Sequence, residues 1–336
     1  MTTRTSDSSK TMQKDREKEA KEPKGGAYQH RLLIPYIRFI VQTLAFLTFF
    51  GLILNIGTQL IPFPAVVCLA VTTRTVGDAL AVLQGYLASW ETGSALWPLI
   101  PLAAVLITAA FIGRLPCGWL CPLGFIQDIL TLPKKSQRDV SPRLSETLIY
   151  MKYIFLAFLL LVSVTLGVSL YMGVGIAYKE ALGAFAVPYY AFSPDVTLFV
   201  TLPNVLPRVP AALQQLTLLD SSALWAGLTS VTSITWLRLF TLAFFLTAMV
   251  LAQRSWCRYV CPLGALMAIL SRVSFLGLRR SMARCGACEG KPCLEACPMK
   301  VKILKQPWEK FNDPECILCL ECVSKCPEGA IRPKFP

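Results

Sequence analysis

From Cys316 to Pro327 the chain reads CILCLECVSKCP, a run of four cysteines spaced C-x2-C-x2-C-x3-C and closed by proline. Three thiols two residues apart can converge from one tight loop on a single inorganic group. The fourth, followed by proline, is carried away toward a neighbour. This is the spacing at which bacterial ferredoxins hold [4Fe-4S] cubanes, and the fourth cysteine ligates the other cluster of a pair. The rule requires a partner motif. Cys285, Cys288, Cys293 and Cys297, followed by Pro298, supply it as C-x2-C-x4-C-x3-C-P. Crossed ligation assigns Cys285, Cys288, Cys293 and Cys326 to one cluster and Cys316, Cys319, Cys322 and Cys297 to the other. A zinc ribbon also uses C-x2-C pairs, but the C-x3-C-P endings have no place in one.

The rest of the chain is too apolar for a soluble protein. Of its 336 residues 54% are hydrophobic and 16% charged, with one histidine and a mean hydropathy of +0.53. These values predict a polytopic membrane protein. Twelve of the thirteen cysteines fall in four motifs that end in Cys-Pro, which points to metal ligation in a reducing compartment rather than disulfides. The net charge of +13 reads as positive-inside bias, because the basic residues cluster in loops expected to be cytoplasmic, and nucleic acid is not implied.

Residues 1 to 31, rich in Lys, Arg, Ser and Glu, read as a disordered cytoplasmic tail rather than a signal peptide. Four spans are expected, at about Leu33–Asn55, Ala95–Ile112, Leu148–Ile176 and Thr235–Leu251. Between them lie two outer loops and an inner loop bearing Lys134, Lys135, Arg138 and Arg143. An amphipathic piece near Val76–Ser89 and a short helix near Ala211–Leu219 are expected in the outer loops. This topology puts both termini, and the cubane motifs, on the cytoplasmic side of the inner membrane.

An internal repeat organises the membrane part. Cys117-Gly118-Trp119-Leu120-Cys121-Pro122-Leu123-Gly124 aligns with Cys257-Arg258-Tyr259-Val260-Cys261-Pro262-Leu263-Gly264, 140 positions later. Two like-oriented units imply an axis along the membrane normal, with the C-x3-C-P motifs facing each other across it. The expected fold class is therefore an all-α membrane protein of four spans in two parallel repeats, with a C-terminal α+β two-cluster ferredoxin module. Residues 32–140 and 141–278 form the repeats, and 279–336 form the module.

Proline directly after Cys121 and Cys261 predicts a helix starting there, with each thiol at its positive end. Cys117, Cys121, Cys257 and Cys261 together could ligate a shared iron or iron-sulfur centre; a dithiol relay and simple packing are the other readings. Trp119 and Trp256 read as interfacial anchors, with ring packing over a centre as the other reading, and Cys68 as a small buried hydrophobe. The outer acids Asp78, Glu91, Glu180, Asp195 and Asp220 read as solvated, with proton acceptance from a quinol as the other reading.

This layout resembles the NapH-type membrane ferredoxins and the wider group that includes nitrous oxide reductase regulators and a cytochrome oxidase maturation factor. The resemblance covers about residues 32 to 330. It implies electron transfer between the quinol/quinone pool, two [4Fe-4S] clusters and a protein redox partner, a reductase or cytochrome, with the chain acting as a quinol dehydrogenase subunit. The alternative is a maturation factor that reduces a metal or disulfide in a client. His30, the lone histidine, lies in the tail, so no haem b is expected. No flavin-attachment threonine in an S-G-A-T-like context is present, so no covalent flavin is expected.

Overall fold

The computed structural model describes residues 31–53, 70–71, 76–77, 79–89, 99–132, 141–202, 233–286, 288 and 290–335. The expected tail, the helix near 211–219, Cys68 and the inner-loop residues Lys134, Lys135 and Arg138 lie outside them. The membrane part is helical: α1 (Ile34–Ile53), α2 (Ala79–Ser89), α3 (Leu99–Ile112), α4 (Leu115–Trp119), α5 (Pro122–Thr131), α6 (Pro142–Tyr171), α7 (Gly175–Leu182), α8 (Pro188–Phe192), α9 (Ser233–Leu251), α10 (Ser255–Tyr259) and α11 (Pro262–Ser271). A two-residue antiparallel pair, β1 (Ala70–Val71) with β2 (Val76–Gly77), precedes α2.

α6 and α9 are long and apolar enough to cross a bilayer, whereas α1 and α3 contribute the shorter apolar runs Ile34–Thr48 and Leu102–Ile112. Two of the four expected spans thus meet both criteria. At 1.5 Å per residue the 30 residues of α6 extend roughly 45 Å, more than the hydrocarbon depth, so part of the helix projects. Pro142 opens it, where a missing N–H costs nothing, and Gly173 at φ +79° closes it. The chain turns there because Val174 N–H donates back to the Ser169 carbonyl at 3.2 Å, so the helix ends before the expected Ile176 and α7 restarts at Gly175. Ile154, Leu161, Phe240 and Phe244 are between 62% and 73% exposed, large apolar side chains that suit lipid rather than water.

The short helices that follow each cysteine motif exchange partners. α5 packs on α1 and on α9, the second span of the other half, while α11 packs on α6 and on α3. This reciprocal crossing is what two like-oriented units produce around a common axis.

The C-terminal module contains β3 (Gly277–Arg280), α12 (Met282–Gly286), α13 (Pro292–Glu295), α14 (Glu321–Ser324) and β4 (Ile331–Lys334). β3 and β4 pair antiparallel with Arg280 opposite Ile331. The Arg280 guanidinium lies 3.7 Å from the Trp308 ring centre and donates to the Leu304 and Gln306 carbonyls at 3.0 and 3.1 Å. The module is fused to the membrane part rather than tethered above it. Leu278, Met299, Val301, Phe311 and Ile317 belong to one continuous buried core with Val105, Leu123, Met249 and Leu263.

Candidate functional site

In each half an arginine two or three residues past an apolar helix caps one turn of helix around the first cysteine, and a new helix starts at proline. Cys121 and Cys261 are the N-caps of α5 and α11, with Pro122 and Pro262 in the first position. Each sulfur accepts a backbone N–H three residues on, from Gly124 at 3.3 Å and from Gly264 at 3.2 Å. The helix start expected from Cys-Pro is therefore where the structure places it.

The contacts across the axis are reciprocal. Arg114 donates to the Cys257 carbonyl at 3.3 Å, and Arg254 donates to the Cys117 carbonyl at 2.9 Å. Gln127 donates to the Cys257 sulfur at 3.0 Å, and Met267, at the equivalent position of the other half, stands 3.6 Å from the Cys117 sulfur. All four cysteines are buried, and all four line one enclosed cavity together with Arg114, Leu123, Tyr189, Asp195, Trp256 and Gly264. The free space is about 20 Å³.

The module holds a cavity of the same size, about 20 Å³, lined by Cys297, Cys316, Cys319 and Cys322 with Leu278, Phe311 and Ile317. These are the four cysteines that crossed ligation groups together. The other four also lie within mutual electrostatic reach, since the charge environment of Cys293 is set by Cys326, Cys285 and Cys288. Among the described residues no three His, Cys, Asp or Glu side chains are gathered tightly enough to hold a single metal ion. Burial, reinforced by neighbouring cysteines, pushes the Cys257 thiol up to about 12 and the Cys319 thiol, burial again dominating, up to about 11. Thiols so buried stay protonated at neutral pH until a cation claims them as thiolates.

Two carboxylates, Glu315 buried and Asp128 partly so, lock the halves to each other and to the module. Asp128 on α5 accepts from Arg254 at 2.8 and 2.6 Å, from Gln42 at 3.1 Å, and from Arg38. Burial alone would raise its carboxyl, but Arg254 and Arg38 hold it below the usual carboxylate range. Glu315, just before the second cubane motif, accepts from Lys152 of α6 at 2.5 Å on both oxygens and from Arg114 at 3.4 Å.

Three expectations need correcting. Trp256 is no interfacial anchor: it is 2% exposed and walls the four-cysteine cavity, because its ring packs edge-on against Phe245 at 4.6 Å. Trp119 is half-buried and donates to the Leu318 carbonyl at 3.0 Å. Asp195 is 2% exposed and accepts from the Tyr189 hydroxyl at 3.1 Å. It reaches the cavity because residues 188–201, expected in an outer loop, fold back against α1, α2, α6 and α9. Glu180 is exposed as expected, while Asp78, Glu91 and Asp220 lie outside the described residues. Sequence reasoning passed over Arg114 and Arg254, yet the repeat carried the signal: arginine stands three positions before the first cysteine of both motifs.

Two segments of the chain, residues 94–138 and 232–281, match a family described as a 4Fe-4S binding domain, and residues 310–332 match a second family of the same description. An uncharacterized protein of Methanocaldococcus jannaschii is 27% identical over 238 residues, covering 68% of this chain and 76% of the relative. YccM of Escherichia coli, named for electron transport, is 28% identical over 241 residues, 68% of this chain and 55% of its own. The ferredoxin-type protein NapH of Haemophilus influenzae is 26% identical over 99 residues, 27% of this chain and 33% of its own, and NirI and NosR proteins also match. These matches support a likeness to the NapH/NosR-like 4Fe-4S membrane ferredoxins. No solved structure matches it. The first family match falls once on each half and spans both C-x3-C-P motifs.

Proposed function

We propose that this membrane ferredoxin passes electrons between a membrane quinol and a redox protein on the cytoplasmic side, through a polynuclear centre held by Cys117, Cys121, Cys257 and Cys261 and through two [4Fe-4S] clusters. The observation that carries the reading is the pair of matched cavities: similar in size, each walled by four cysteines, one in the membrane repeat and one in the module. The donor set fits an iron-sulfur group, which supplies one-electron redox chemistry when bound. The chain's residues hold the thiols apart, exclude water and place arginines behind the cysteine carbonyls.

A membrane-facing groove of about 220 Å³ is lined by Phe155, Phe192, Phe240, Thr241, Phe244, Phe245 and Val260. It suits a quinol ring, and Phe245 in its wall packs on Trp256 in the wall of the cysteine cavity. Quinol oxidation releases two electrons and two protons. Asp195, brought in with Tyr189 from the outer side, is the acid at the cavity wall. Four spans in two parallel repeats, residues 32–140 and 141–278, with both termini cytoplasmic, complete the reading.

Replacing the four C-x3-C-P cysteines by serine tests it. Iron should fall from about twelve to about eight atoms per chain, and reduction of the remaining clusters by a quinol analogue should be lost while dithionite still reduces them. An unchanged iron content sinks the shared centre. Reduction of the intact chain only by a soluble ferredoxin, and never by quinol, favours a maturation role instead.

A further inference from the structure

We propose that the backbone contact between Gly118 and Ile317 is the electron port joining the four-cysteine cavity to the cubane site of Cys297, Cys316, Cys319 and Cys322. That site is then proximal to the membrane, and the site of Cys285, Cys288, Cys293 and Cys326 is terminal. The inference rests on the reading that the four-cysteine cavity holds an iron-sulfur group.

Gly118 is bonded to Cys117 in the wall of one cavity, and Ile317 sits between Cys316 and Cys319 in the wall of the other. The two backbones approach so closely that a Cβ at position 118 would stand 2.4 Å from the Ile317 carbonyl oxygen and 3.6 Å from the Cys319 Cα. Only glycine allows this approach. Both partners are clamped. Arg38 and Gln42 of α1 donate to the Gly118 carbonyl at 3.1 and 3.0 Å, and the same Arg38 pairs with Glu321 of the module at 2.8 Å. On the module side Leu318 and Leu320 adopt left-handed backbone at φ +48° and +60°, a conformation costly for leucine, and the Leu318 carbonyl receives Trp119. The symmetry-related position of the second motif is Arg258, which turns instead to Ser145 at 2.8 Å on α6. The first motif therefore brings its backbone onto a cluster loop, whereas the second faces Met299, Lys300 and Val301 across a pocket through the Arg258 side chain. The terminal assignment follows from exposure: two of its four cysteines, Cys285 and Cys288, are partly exposed, against Cys316 alone in the proximal set. The step is a one-electron exchange: the donor site loses one electron, the acceptor site gains it, no bond forms or breaks, and Gly118 is a positioning residue.

Gly118→Ala in the full chain, purified with its clusters, tests the port. Reduction of the module clusters by a quinol analogue, followed by freeze-quench EPR, should slow about tenfold or more, the scale of loss that a displacement near an ångström produces. Iron content and reduction by dithionite should not change, and hydrogen exchange at the amides of residues 317–320 should rise. Trp119→Phe, which keeps the ring and removes the hydrogen bond to Leu318, should show a smaller slowing and covers the case in which the first variant loses iron. Unchanged reduction rates in iron-replete Trp119→Phe, and in Gly118→Ala where it retains iron, overturn the port. A wild-type chain with only about eight iron atoms instead overturns the reading beneath it, so the two failures are told apart.

Discussion

Removing the Asp128 carboxylate tests whether buried charge, and not apolar contact alone, holds the two repeats in register. In Asp128→Ala two guanidinium groups lose their shared counterion: Arg254, whose side chain is fully buried, and Arg38, 8% exposed. Breaking one partner out of a buried ion pair costs about 3–5 kcal/mol, because the remaining charge stays desolvated. Asp128 itself keeps 21% exposure, so water can reach the vacated space, and the low end of about 3 kcal/mol applies. At about 1.4 kcal/mol per decade this is roughly a hundredfold rise in local opening. Hydrogen exchange in nanodiscs reads it directly. The amides of α5 and of residues 117–120 should lose protection by that factor, because Arg254 and Arg38 also secure the Cys117 and Gly118 carbonyls. Asp128→Asn, which keeps acceptor geometry without charge, should fall between the two. A change of less than about threefold in Asp128→Ala would refute the argument and assign the register to packing.

The same carboxylate sets an acid limit. Its folded pKa lies below the ordinary value, so its contribution is fully present above about pH 4 and is lost as pH falls through the depressed value. Tryptophan fluorescence of wild type and Asp128→Asn followed downward from about pH 5 should therefore show the stability gap between them closing below about pH 4, and a gap independent of pH would count against the pairing. At the other hub, Glu315→Gln leaves the fully buried Lys152 without its counterion and should cost about 3 kcal/mol in thermal unfolding. Adding Lys152→Met should recover much of that loss, and strict additivity of the two changes would contradict a direct pair.

The eight cysteines of the module, the helix starts at Pro122 and Pro262, and the pairing of the C-x3-C-P motifs were legible because each depends on local spacing. The fate of Trp256 and Asp195 was not. A tryptophan beside a span end has the same composition signal whether it meets headgroups or closes a cavity, and only the edge-on packing against Phe245 decides between them. Asp195 stands in a Pro- and aromatic-rich segment that reads as an outer loop, and its return between the helices depends on long-range packing that no local period records. Asp128 and Glu315 escaped for a related reason: each is one acid among twenty in the chain, and its side-chain partners lie 86 to 201 positions away. Arg114 and Arg254 were readable in principle, since a duplicated arginine at the same offset in a repeat marks a shared task.

The places where the halves differ explain what the duplication is for. Cysteine, proline, glycine and the leading arginine coincide at an offset of 140, and they build the cavity, which both halves must close in the same way. The halves diverge at Gly118 against Arg258 and at Asp128 against Ala268. Gly118 lies against the cluster loop, and Asp128 binds Arg38, the residue that also grips Glu321 of the module. A single ferredoxin module cannot satisfy a two-fold surface, so the halves meet it differently, the first through the Gly118 backbone and Arg38, the second through Lys152 of α6. The symmetric residues thus serve the thiol cavity and the asymmetric ones fix where the module sits. A module bound with equal strength to either motif would present two competing registers. The small Gly118 and the charged Asp128 admit one, and that register brings Ile317 onto the wall of the four-cysteine site.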